Sequence, residues 1–136
     1  MKENPKRQLP FSDRMYLCLQ AEEAAITAAA IYFLTRHNLG LPVWIWIPLF
    51  FAPDLSMMGY LFGNRAGAFA YNLFHHRGIA LLITGAGFVL HQEWLIALGI
   101  LLFAHSSFDR MLGFGLKYNR GFGHTHLGWA EKEERI

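Results

Sequence analysis

His105 and Asp109 stand four residues apart in an apolar stretch, a spacing that places an imidazole and a carboxylate on one face of a helix. Asn72 and His75, three apart, do the same with an amide and a second imidazole, and Tyr71 adjoins them. Asp54 follows Pro53 in another apolar stretch, and Glu22 and Glu23 interrupt a fourth. Asp54, His75, His105 and Asp109 together offer nitrogen and oxygen donors suited to a divalent metal such as zinc, manganese or iron. Such an ion would also explain how carboxylates stay charged among apolar helices. Without a metal, the same residues are a hydrogen-bonded cluster that fixes helix packing. Glu22 and Glu23 point about 100° apart around a helix, so one can face the centre while the other is neutral or paired with Arg77. Glu22 is taken as the candidate general base. Arg77 and Arg110 are candidates for neutralising a phosphate, and Asn72, Tyr71 and His126 are read as supporting residues. Either His75 or His76 could be the ligand of the third stretch; His76 also reads as a packing or loop histidine.

The elements that must position these groups look like membrane spans. Of the 136 residues, 54% are hydrophobic and 16% charged, and the charges crowd towards the two ends while the stretch from Met15 to Tyr118 is largely apolar. Four segments of about 20 residues are separated by polar or helix-breaking punctuation. They run from Met15 to Thr35, Leu41 to Phe62, Ala66 to Leu90 and Trp94 to Leu112. The fold expected is therefore all-α: one integral membrane domain, residues 1–136, of about four transmembrane helices with tails 1–14 and 113–136. Trp44, Trp46 and Trp94 sit where interfacial anchors belong, and Gly59 and Gly63 have the spacing of a close helix contact.

Lys2, Lys6, Arg7 and Arg14 precede the first span, Arg65 lies in the second loop, and Arg110, Lys117, Arg120, Lys132 and Arg135 gather at the C-terminal end. The first loop has Arg36 alone and the third has no Lys or Arg, so both termini are expected to be cytoplasmic, with the chain in the cell's plasma (inner) membrane. A signal peptide is rejected: Glu22 and Glu23 interrupt its apolar run, and Ala28 to Ala30 lead directly into Ile31, Tyr32 and Phe33. The net charge of +2 flanks the spans and gives no nucleic-acid footprint. Cys18, the single cysteine, excludes an internal disulfide.

His75, His76, Arg77 and Gly78 fall near the middle of the third span, where an arginine costs about 2.5–3.5 kcal/mol even on lenient scales. That helix is expected to be broken or kinked near Arg77-Gly78, and Pro48 and Pro53 predict a kinked second span just before Asp54. Counted at ~1.5 Å per residue from the cytoplasmic ends, Glu22, Asp54, His75 and His105 lie at similar depths of about 11–14 Å, with Asp109 at about 5 Å. Residues from all four spans thus converge on one level. The glycine-rich tail from Gly121 to Trp129 reads as a loop or cap, from which His124 or His126 could join the site; Lys117 and Arg120 could attract lipid phosphates.

Pro53-Asp54-Leu55-Ser56, Gly59-Tyr60, Tyr71-Asn72 with His75, Ala104-His105, Asp109-Arg110, Gly115-Leu116-Lys117-Tyr118 and Thr125-His126-Leu127-Gly128 form a set spread over nearly the whole chain. With it the sequence resembles a family of small bacterial membrane proteins known as domain-of-unknown-function family 4260. Pro53-Asp54-Leu55, His76-Arg77-Gly78 and the His105 to Asp109 spacing are also similar to elements of inner-membrane metal-dependent hydrolases. Ser56 and Ile79-Ala80-Leu81 depart from that second pattern, where another Asp and Thr-His-Ser stand. The second resemblance implies a metal site and, with it, hydrolysis of a lipid or phospholipid entering from the cytoplasmic leaflet. Two other functions fit the same residues. One is an oligomeric transporter or proton relay, in which the carboxylates and histidines titrate; the other is a non-catalytic membrane adaptor with a structural polar cluster.

Overall fold

The computed structural model describes residues 13–117 and the short strands 124–125 and 128–129 beyond them. The main body is helical: α1 (Asp13–Arg36), α2 (Val43–Phe51), a 3-10 segment (Ala52–Phe62), α3 (Asn64–His75), α4 (Arg77–Val89) and α5 (Glu93–Met111). Strands β1 (His124–Thr125) and β2 (Gly128–Trp129) pair antiparallel, with His124 opposite Trp129. The tail residue His126 lies outside the described residues.

α5 is the central helix, packed against both α1 and α4. Its buried run Ala104-His105-Ser106-Ser107 carries polar groups into the middle of the fold, while Ala97 and Leu101 join Leu34, Trp46, Leu49 and Phe50 in the apolar core. Trp46 is partly buried against this core, whereas Trp44 and Trp94 are exposed. The α4–α5 contact depends on small residues. A methyl on Gly99 would lie 2.6 Å from the Thr84 nitrogen and 2.7 Å from the Ala80 carbonyl oxygen, so the two backbones nearly touch.

Two prolines shape the second span. Pro48 lies inside α2 and Pro53 in the first turn of the 3-10 segment, and neither has an N–H for the helical ladder. From Ala52 the chain winds more tightly, and Leu55, Met58 and Leu61 form an exposed apolar stripe at the three-residue period of a 3-10 helix. α3 packs back on this segment through Gly59 and Gly67. The expectation that Gly59 and Gly63 both allow a close helix approach holds at Gly59 and is corrected at Gly63: a methyl on Gly63 would meet nothing within 4 Å, and its φ of +114° makes it the turn between the 3-10 segment and α3. Gly59 instead faces Gly67 and Ala70 across the contact.

The expected third span is two helices. α3 stops at His75, His76 is extended (φ −86°, ψ 110°), and α4 starts at Arg77. The His76 imidazole accepts a hydrogen bond from the Ile79 N–H (3.3 Å), capping the N-terminus of α4. Two continuous helical stretches, Arg14–Arg36 and Val43–Phe62, are long and apolar enough to cross a membrane. α4, an apolar helix of 13 residues, extends about 20 Å and falls short of a ~30 Å hydrocarbon core by itself.

Candidate metal centre

Three elements bring the site together. The 3-10 segment supplies Asp54 from its first turn, α3 supplies His75 from its last, and α5 supplies His105 and Asp109 from one face. One potential ligand atom from each of the four residues lies within 4.8 Å of all the others. His105 Nε2 is 3.1 Å from Asp54 Oδ1, 3.1 Å from His75 Nε2 and 3.6 Å from Asp109 Oδ2. His75 Nε2 is 3.2 Å from Asp109 Oδ2 and 3.5 Å from Asp54 Oδ1. A tetrahedral ion with bonds of about 2.0–2.2 Å needs ligand atoms about 3.3–3.6 Å apart, close to the five separations above, so the group could hold a metal ion. His75 and His105 are buried, and Asp54, with a third of its side chain exposed, forms the open edge.

The surroundings prepare His75 for this role. Its Nδ1 lies 2.8 Å from the Tyr71 carbonyl oxygen, which can only accept, so the ring proton sits on Nδ1 and the Nε2 lone pair faces Asp54, His105 and Asp109. The Tyr71 ring stacks on the His75 ring at 3.8 Å, and its hydroxyl donates to Asp109 Oδ2 at 2.9 Å. Because α3 ends at His75, the carbonyl of that residue lacks a helical partner; the Ser106 hydroxyl of α5 donates to it at 2.5 Å. His105 is walled by the Phe50 and Phe51 rings, with centroids 5.5 and 6.4 Å from its own.

Asp109 is set by the end of α5. The Gly113 N–H reaches the Arg110 carbonyl at 3.0 Å and the Phe114 N–H reaches the Asp109 carbonyl at 2.8 Å, with Gly113 at φ +90°: a Schellman motif that reverses the chain. Residues 114–117 then return to α3. Asn72 accepts from the Lys117 N–H (2.6 Å) and donates to its carbonyl (2.8 Å), and the buried Lys117 ammonium lies over the Tyr71 ring at 4.9 Å. Lys117 is therefore drawn into the protein rather than offered to lipid phosphates, because its aliphatic stem and charge both find Tyr71 and Phe114.

The remaining expected site residues divide. Glu22 is exposed on α1 and is not among the converging groups, so the general-base assignment has no geometric support; the neighbouring Glu23 turns inward and forms an ion pair with Arg77. Arg77 also lies over the Phe103 ring at 5.7 Å, which occupies its guanidinium. Arg110, half-buried, lines a narrow crevice with Tyr71, His75 and Asp109. The choice between neighbouring histidines resolves to His75, since His76 is exposed and caps α4. Convergence thus involves three elements rather than all four spans. Ser106 was absent from the sequence-based set, and Lys117 entered it only as a group for lipid phosphates; Gly113, which follows α5, is a sequence signal that the chain turns back there.

A helical fold with two membrane-length stretches and a buried histidine–carboxylate centre defines the class of protein. The chain belongs to the family described as a domain of unknown function, DUF4260, whose model matches residues 16–130. No curated protein and no solved structure matches the chain.

Proposed function

We propose that this chain is a membrane-embedded metalloprotein, with a divalent ion held by Asp54, His75, His105 and Asp109, that hydrolyses an ester of a lipid or phospholipid. The observation that carries the reading is the convergence of two carboxylate oxygens and two imidazole nitrogens in which the His75 proton is committed elsewhere. Four lone-pair atoms so close repel one another unless protons or a cation lie between them. A divalent ion there would acidify a bound water and polarise a carbonyl or phosphoryl oxygen. The chain's own residues divide the rest of the work. Tyr71 fixes His75 and Asp109, and Asp54 leaves the open edge through which substrate would approach; Arg110 is the candidate for offsetting phosphate charge.

The membrane setting is supported by large apolar side chains exposed along every helix, among them Phe33, Val43, Leu61, Phe69, Leu82 and Trp94, far more than a water-facing surface carries. In this setting α3 and α4 together form a broken third span, whose last α3 carbonyl, that of His75, is satisfied by the Ser106 hydroxyl of α5, and α5 is the fourth. Elemental analysis of the purified protein, expressed with zinc, manganese or iron supplied, tests the proposal. Wild type should carry close to one ion per chain and His105→Ala almost none; equal, negligible metal in both would end it and favour a titrating proton relay.

A further inference from the structure

We infer that the groove between α1 and α2 seats the acyl chain of the substrate, with the chain's polar end at Asp54; the inference rests on the metal-site reading above and deepens it. The groove has a volume of about 270 Å³ and is lined by apolar side chains, among them Ile31, Leu34, Val43, Ile47, Phe50 and Phe51. The polar groups beside it already have partners within the protein. The Thr35 hydroxyl donates to the Tyr32 carbonyl (2.6 Å), Asn38 Oδ1 accepts from the Gly40 N–H (2.9 Å), and the Trp46 indole N–H donates to the Asn38 carbonyl (3.3 Å). The lining therefore favours an apolar occupant.

Position identifies that occupant. The groove lies between the two membrane-length stretches, where lipid chains are the solvent. At its inner end Phe50 and Phe51 are the same rings that wall His105. Asp54 follows Phe51 by three residues, one turn of the 3-10 segment, and is the most open of the four candidate ligands. The groove and the polar centre thus share the Phe50 and Phe51 rings as a common wall, and an amphiphile with its tail in the groove would bring its reacting head towards Asp54. The volume is below the usual range for drug-sized ligands and too small to enclose a helix ~10–12 Å across, which favours one chain over a second copy of the protein.

The test uses the full-length protein in phosphatidylcholine vesicles containing a trace of a lysophospholipid with a photoreactive diazirine on its acyl chain, and maps the adducts by mass spectrometry. Two position pairs have matched exposure: Val43 at 77% with Leu82 at 74%, and Ile47 at 59% with Leu81 at 59%. Labelling should be several-fold greater at Val43 and Ile47 than at Leu82 and Leu81, and unlabelled lysophospholipid should compete it away. Ile47→Trp and Ile31→Trp, which fill the groove, should abolish the excess while metal content stays at the wild-type level. Equal labelling within each matched pair would overturn the inference and leave the metal reading standing. Competable groove labelling in a wild-type protein that carries no metal would uphold the groove and remove the hydrolase reading.

Discussion

Tyr71 makes three contacts with the centre through one side chain and its own carbonyl: it stacks on His75, accepts the His75 Nδ1 proton and donates its hydroxyl to Asp109. Groups that orient metal ligands in this way typically account for 10–100-fold in metal affinity. Tyr71→Phe keeps the stack and the carbonyl and removes only the hydroxyl. It should therefore weaken metal binding by about 10-fold, measured by competition with a chromophoric chelator, without loss of helical circular dichroism. The spacing of His105 and Asp109 made their shared face readable from sequence, because helical periodicity alone decides it. The choice of Glu23 over Glu22 as the inward carboxylate was not readable, since two adjacent residues differ only in how α1 is rotated against its neighbours.

At the scale of elements, the site depends on how closely α4 lies on α5, because α5 carries two of the four candidate ligands. Gly99→Ala would drive a methyl into Thr84 and Ala80, and overpacking of this kind costs about 1–3 kcal/mol. A clear fall in the thermal unfolding midpoint in detergent is expected. Gly85→Ala is the matched control: it lies exposed on the same α4 with nothing within 4 Å of the added methyl, and should be neutral or stabilising, as Ala is the better helix former. Pro48 and Pro53 announced a disturbed second span, but its form, a tightening into a 3-10 helix that turns Asp54 towards α5, depends on packing against α3. The interruption at His76 is likewise held from outside, by the Ser106 hydroxyl on the last carbonyl of α3.

For the whole molecule, the proposed four-span arrangement has an even number of crossings, so the two ends lie on one side of the membrane. Reporter fusions after Ile136 and before Met1 should both be active as cytoplasmic fusions, while a fusion in the loop at Leu39 should report the opposite side. The Leu39 fusion is the sensitive one, since it separates the two membrane-length stretches and contains Arg36 as its only nearby basic residue.

Sequence by itself determined the helical class, the apolar segments, the family and three of the candidate ligands, Asp54, His105 and Asp109, because hydrophobic periodicity and residue spacing are local properties of the chain. Tertiary structure alone decided the rest. It chose His75 over His76, moved Gly63 from a packing seam to a turn, removed Glu22 from the centre and folded Lys117 onto Tyr71. Each of those outcomes depends on helix rotation or on contacts between distant segments, for which the linear pattern of residues carries no signal.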